Sequence, residues 1–112
     1  MKPARHLGTE ENDVTSYALG IYRIRDGSWR PAYREAQKKI LPRYGGQYLV
    51  RSDGAWEMLE GTPPSATAFT ILQFPSMDLA RGWHRDPEYA PFIELRREHS
   101  ELDLVLVEGS DG

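Results

Sequence analysis

Apolar and polar positions sort the chain into strands and helices before any motif is considered. SYALGIYRIR (16–25) alternates with period two: Tyr17, Leu19 and Ile21 fall on one face, Ala18, Tyr22 and Ile24 on the other. Asp26-Gly27-Ser28 predicts a turn and a helix cap. Trp29, Tyr33, Ala36 and Ile40 then recur at spacings of four, three and four, the inner stripe of a helix whose solvated side carries Arg30, Arg34, Glu35, Lys38 and Lys39. Pro31 is tolerated in the first turn, and Pro42 with Gly45-Gly46 ends the helix. QYLVR (47–51) predicts a second strand, Ser52-Asp53-Gly54 a turn, and WEMLE (56–60) a short strand returning from it. ATAFTILQF (66–74) is a strong strand. Ser76 caps a helix running through Met77, Ala80, Trp83 and His84, which Asp86-Pro87 stops. A short helix over about 88–99 carries Tyr89, Phe92, Ile93 and Leu95, and LDLVLVE (102–108) is the last strand.

The order β-α-β-(β)-β-α-α-β is the split β-α-β plan of a ferredoxin-like α+β protomer: an antiparallel sheet with its helices on one face. Three strands are apolar on both sides, and helices cover one side only. The second face is expected to meet the same face of another copy, in a two-fold homodimer. The domain is assigned to 16–109, with 1–15 as a flexible N-terminal tail, which includes His6, and 110–112 as a C-terminal tail.

Composition narrows the class. At 112 residues the chain makes one domain, and its net charge of −3 with scattered basic residues argues against nucleic-acid binding. No apolar run reaches the ~20 residues of a membrane span. The polar start lacks the apolar centre of a signal peptide, so no membrane association and a cytoplasmic setting are expected. With no cysteine there is no disulfide, thiolate metal site, iron–sulfur cluster or cysteine nucleophile.

YGGQYLVRSDG (44–54), EMLEG (57–61), FPSMDLARGWHRDPEY (74–89), the arginines of LRRE (95–98) and LVEG (106–109) together resemble domain-of-unknown-function family 1330, small proteins of the dimeric α+β barrel superfamily. The resemblance covers about 16–109. It implies a ferredoxin-like protomer, a dimer formed through the sheets, and a pocket between sheet and helices. It implies no single reaction, since relatives across the superfamily include cofactor-free oxygenases, haem-degrading enzymes, cyclases and isomerases. Members of the family commonly carry an aromatic residue where this chain has His84.

Candidate chemistry follows from polar residues on otherwise apolar elements. His84 shares a helix face with Met77 and Ala80, so its imidazole is expected to lean inward as a general acid or base; the competing reading is a packed histidine with one hydrogen bond. Arg51 ends a strand in which Leu49 points the same way, so it is expected to face the core and clamp a carboxylate, or else to pair with Glu57 or Glu60. Glu60 is a candidate base if its surroundings raise its pKa. Tyr89 offers a hydroxyl to a ligand or packs. Arg96 and Arg97 point about 100° apart, and the resemblance favours Arg97 for the pocket. Tyr22, Tyr48 and Trp83 are assigned to the substrate-lining wall.

His6, His84 and His99 form no close ligand pair, and there is no HxH or HExxH motif, so no metal is expected. Haem is disfavoured because Phe92 and Ile93 stand where a haem-degrading relative is expected to carry its axial histidine. No GxGxxG or GxxxxGK run supports a nucleotide, so no cofactor is expected. The expected function is a cofactor-independent enzyme using acid–base chemistry on a small acidic or carbonyl-bearing molecule. Cyclisation, isomerisation and hydrolysis all fit, in a biosynthetic or catabolic pathway. The alternatives are a non-catalytic, dimeric small-metabolite binder and a domain whose pocket is filled by its own side chains.

Overall fold

The computed structural model describes residues 14–52, 54–62 and 65–110. Its elements are β1 (Ser16–Ile24), α1 (Arg30–Ile40), a 3₁₀ turn (Leu41–Tyr44), β2 (Gln47–Ser52), β3 (Ala68–Phe74), α2 (Met77–Arg85), α3 (Ala90–His99) and β4 (Ser100–Glu108). The four strands form one antiparallel sheet in the order β2-β3-β1-β4. This is the ferredoxin-like α+β arrangement expected from the pattern. The expected tail over 1–15 lies outside the described residues except for Val14 and Thr15, as does the end of the C-terminal tail.

Alternation decides what each strand buries. On β1 and β3, Ala18, Tyr22, Ala68, Leu72 and Phe74 point to the helices and are buried. The inner stripe of α1 packs on them as predicted, with Trp29, Tyr33, Ala36 and Ile40 all buried. Phe74, with no exposed surface, lies 5.2 Å from the Trp83 ring of α2. α2 begins where Ser76 predicts, its hydroxyl accepting from the Leu79 N–H at 3.1 Å. It ends at Asp86, a buried carboxylate that accepts from the Tyr44 hydroxyl at 2.7 Å, from Arg43 at 3.1 Å and from the Glu88 N–H at 2.8 Å. One carboxylate thus ties the 3₁₀ turn to the junction of α2 and α3. Gly45 closes that turn at φ 68°, a left-handed conformation that glycine adopts without penalty.

Three local expectations are corrected. Asp26 and Ser28 do not cap α1, whose first turn starts from Trp29 without a side-chain cap. Asp26 instead accepts from the Ser28 N–H and hydroxyl in its own tight turn. WEMLE (56–60) forms no strand: the segment is irregular, with Leu59 86 % exposed, and Trp56 holds to the sheet by setting its ring edge-on to Phe69 at 4.9 Å. A five-residue strand at the open edge would gain few ladder bonds while holding Glu57 and Glu60 in place. The third correction concerns β2. Tyr48 pairs with Leu72, but Val50 pairs with Ile71, so Leu49 is an extra, bulged residue. The bulge changes the parity of the strand. Arg51, opposite Thr70, reaches the helix side together with Tyr48, not with Leu49.

Among the described residues no helix packs on the other face of the sheet. Register aligns Val50, Ile71, Leu19 and Val105 in one row across all four strands. Leu19, Val50 and Val105 are exposed. Cα positions extend only 16 Å along the thinnest axis, as expected of a single helix layer on a single sheet.

Candidate functional site

The sheet and α1 flank a narrow cleft with an interior of about 40 Å³, which becomes about 420 Å³ when its open mouth is counted. Tyr22 of β1, Tyr48 and Arg51 of β2, and Ala68 and Thr70 of β3 contribute from the sheet; Trp29, Arg30, Tyr33 and Arg34 contribute from α1 and its entry. The wall is largely aromatic. Three arginines line the cleft, and no carboxylate among the described residues does. The Arg51 guanidinium lies 4.7 Å from the centre of the Tyr48 ring, a cation–π contact that holds it over the cleft. It forms no ion pair with Glu57 or Glu60 among the described residues, and both glutamates are exposed in the irregular segment. Glu60 is therefore neither Arg51's partner nor a buried base.

Behind the cleft sits a buried polar network. The hydroxyls of Tyr33 (α1) and Tyr89 (α3 entry) are hydrogen-bonded to each other. Arg96 Nη1 donates to both at 3.1 Å. Gln37 Nε2 approaches both at 3.3 Å, and Gln37 Oε1 accepts from the Trp83 indole N–H at 3.0 Å. The rings stack through the core, with Trp83 and Tyr89 5.1 Å apart and Trp29 edge-on to Tyr33 at 5.1 Å. Arg96 is 4 % exposed and makes no ion pair with a carboxylate among the described residues. Its Nε has no hydrogen-bond partner among them.

This environment keeps the phenols of Tyr22, Tyr48 and Tyr89 neutral. Burial, then the neighbouring Tyr33, pushes Tyr48 up to about 12 and Tyr89 well above the ordinary phenol range. Burial does the same to Tyr22, with Tyr33 again the next cause. At neutral pH these hydroxyls are hydrogen-bond donors, not bases.

The remaining predicted residues scatter. Trp83 is buried behind the network and lines a second cleft, between α2 and β4. His84 lines that second cleft as well, with Ala18, Leu104 and Leu106 as its apolar floor. It is more exposed than its shared face with Ala80 predicts, because Trp83 takes the inward position at the end of α2. Arg51 and His84 therefore line different clefts. Tyr89 is fully buried, so its hydroxyl meets Tyr33 and not a cleft. Arg97 points to the surface and pairs with Glu94 at 2.9 Å, while Arg96 turns inward. Trp29 and Tyr33, which the pattern reads as core, also line the cleft; Gln37 carries no assignment in the sequence, and of the two weighed arginines it is Arg96, not Arg97, that turns inward. The one available signal was position: Gln37 adjoins the inner stripe of α1, and Arg96 follows Ile93 by three residues.

Among the described residues no cluster of metal-ligating side chains occurs, and no helix is long and apolar enough to cross a membrane.

Known structures with this architecture place the chain first in a class. A protein of unknown function from Rhodopseudomonas palustris, RPA0582, superposes with a TM-score of 0.70 at 16 % identity, over 91 % of this chain and 88 % of its own. SnoaB, a cofactor-independent oxygenase from Streptomyces nogalater, superposes with a TM-score of 0.61 at 11 % identity, over 88 % of this chain and 96 % of its own. A conserved protein from Methanosarcina mazei Go1 gives 0.51 at 10 % identity, over 89 % and 97 %. At these identities the likeness is one of fold, a ferredoxin-like α+β domain. The sequence then settles the family: residues 15–110 match the domain of unknown function DUF1330, and the chain belongs to it. Comparison with curated proteins finds no match.

The imidazole of His84 is held below its ordinary value of 6.5, first by partial burial and then by the positive charges of Arg96, Arg97 and Arg85. The unfolded chain therefore binds a proton more readily at this site than the folded one. The stability His84 contributes is complete above about pH 6.5 and falls as pH drops through that value toward the folded pKa. An NMR titration of the His84 ring should give a midpoint below 6.5, and a midpoint at or above 6.5 would contradict this account.

Proposed function

We propose that the protein is a homodimer that binds a small organic acid in the cleft between the sheet and α1. The observation that carries this reading is the charge of the cleft. Arg34 and Arg51 and neutral tyrosine donors face an aromatic-walled space lined by no described carboxylate, in a chain whose net charge is −3. An anionic group is the ligand chemistry that such a lining complements, and the aromatic wall suits a planar body. Arg51, Arg34 and the hydroxyls of Tyr22 and Tyr48 are the binding groups. The uncovered row Val50–Ile71–Leu19–Val105 supports pairing of two sheets face to face. A cytoplasmic setting fits a chain without cysteine.

One observation favours a second reading, in which the same protein is a cofactor-independent acid–base enzyme. His84 opens on the second cleft with its pKa held down, so it is a neutral imidazole at pH 7, able to take a proton from an acidic or carbonyl-bearing molecule. The fold accommodates chemistry of that economy, since SnoaB is a cofactor-independent oxygenase.

Three measurements test these readings. Titrating benzoate into ¹⁵N-labelled protein should shift the resonances of the cleft residues, and Arg51→Ala should weaken that binding about tenfold, the scale of one charge-assisted contact; equal binding by the variant would remove Arg51 from the site. Leu19→Glu, which puts a charge into the apolar row, should convert the dimer to a monomer in analytical ultracentrifugation, whereas a monomeric parent protein would end the dimer reading. In a screen of small acids and carbonyl compounds followed by NMR, His84→Ala should abolish any conversion and leave benzoate binding intact. Conversion at the parent rate would exclude His84 from catalysis.

A further inference from the structure

The buried network behind the cleft has a direction. Tyr33 and Tyr89 bring two hydroxyl protons and share one hydrogen bond. Arg96 Nη1 donates to both oxygens and, like any guanidinium, accepts nothing. Gln37 presents its amide nitrogen to the same oxygens. That orientation is set by Trp83, whose indole N–H can only donate and therefore selects Gln37 Oε1 as its partner. Apart from Tyr22, whose hydroxyl can accept from Tyr33 as well as donate, each described group within hydrogen-bond distance of the pair is thus a donor.

Two arrangements remain. If Tyr33 donated to Tyr89, the Tyr89 proton would be stranded at a residue with no exposed surface and no described acceptor. If Tyr89 donates to Tyr33, the proton left over belongs to Tyr33, which lines the cleft. The penalty for a buried donor without an acceptor selects the second arrangement. Tyr22 stands next to Tyr33, also lines the cleft and can pass the donor outward. Arg96 adds polarity, since its charge is met by neutral hydroxyls and by no described carboxylate, which makes those O–H groups stronger donors.

We propose that Arg96, Gln37, Tyr89 and Tyr33 form a one-way hydrogen-bond relay that delivers a hydroxyl donor into the cleft, so that the cleft selects an oxyanion, a carboxylate or enolate oxygen, over the corresponding neutral ester. The relay deepens the acid-binding reading and rests on it. Arg96 is its positioning residue: it does not line the cleft, and it acts through the two tyrosines.

The test compares benzoate with methyl benzoate by NMR titration of the full chain and three variants. Arg96→Gln supplies a carbonyl that can accept the Tyr89 proton and so releases the direction; the preference for benzoate should fall about tenfold. Arg96→Lys keeps a donor-only cation and should retain the preference. Tyr33→Phe removes the delivered donor, stands in should Arg96→Gln fail to fold, and should match its loss. Thermal midpoints and spectral dispersion report folding separately, so a merely structural network would move those and leave the benzoate-to-ester ratio alone. Parent-like ratios in folded Arg96→Gln or Tyr33→Phe would overturn the relay while leaving acid binding standing. A parent protein that does not bind benzoate in the cleft would overturn both.

Discussion

Two-sided apolarity in the sheet governs the rest of this molecule. β1 and β3 carry large apolar side chains on alternate faces, and among the described residues three short helices cover just one of them. On the covered side the helix layer must supply enough bulk to exclude water, and it does so with aromatic rings: Trp29, Tyr33, Trp83 and Tyr89 pack as a chain against Tyr22 and Phe74. Tyrosine and tryptophan bring polar atoms with their bulk, and those atoms need partners once buried. Gln37 and Arg96 meet that need. The polar network is therefore a consequence of filling a thin core with amphipathic rings.

The same network shapes the cleft next to it. A guanidinium held among hydroxyls carries its charge into a region of low dielectric, and the cleft lies across Tyr33 from it. The arginines at the rim add to the same sign. The cleft and the core are in this sense one electrostatic object, with the buried part setting the sign and the exposed part making contact.

Sequence pattern made most of the architecture legible. Period-two alternation located β1, β3 and β4, and the four-three-four spacing from Trp29 to Ile40 located the inner face of α1. Tyr22, Tyr48 and Arg51 were placed on the cleft side. What escaped has physical causes. The segment 56–60 has strand composition, but at the open edge beside β2 pairing gains it few ladder bonds, and composition does not encode that. Gln37 and Arg96 are residue types usually solvated, so binary patterning sends them outward; their partners Tyr33 and Tyr89 lie 56 residues apart in the chain. His84 was read inward because the pattern cannot tell which of two adjacent residues at a helix end takes the buried position, and the larger Trp83 takes it.

Leu49 gives the second strand two phases. Before the bulge, even-numbered positions face the helices; after it, odd-numbered ones do. Residue 51 is thereby placed in the cleft and residue 50 on the uncovered face, the reverse of what an unbroken strand would give. A regular strand that kept Leu49 and paired it with Ile71 would exchange the environments of Val50 and Arg51 without changing either, setting a cation in the apolar row and a valine in the cleft. Ligand chemistry and surface chemistry are thus coupled through one backbone irregularity, and a slip of register here would be a discontinuous step, while substitution would be gradual.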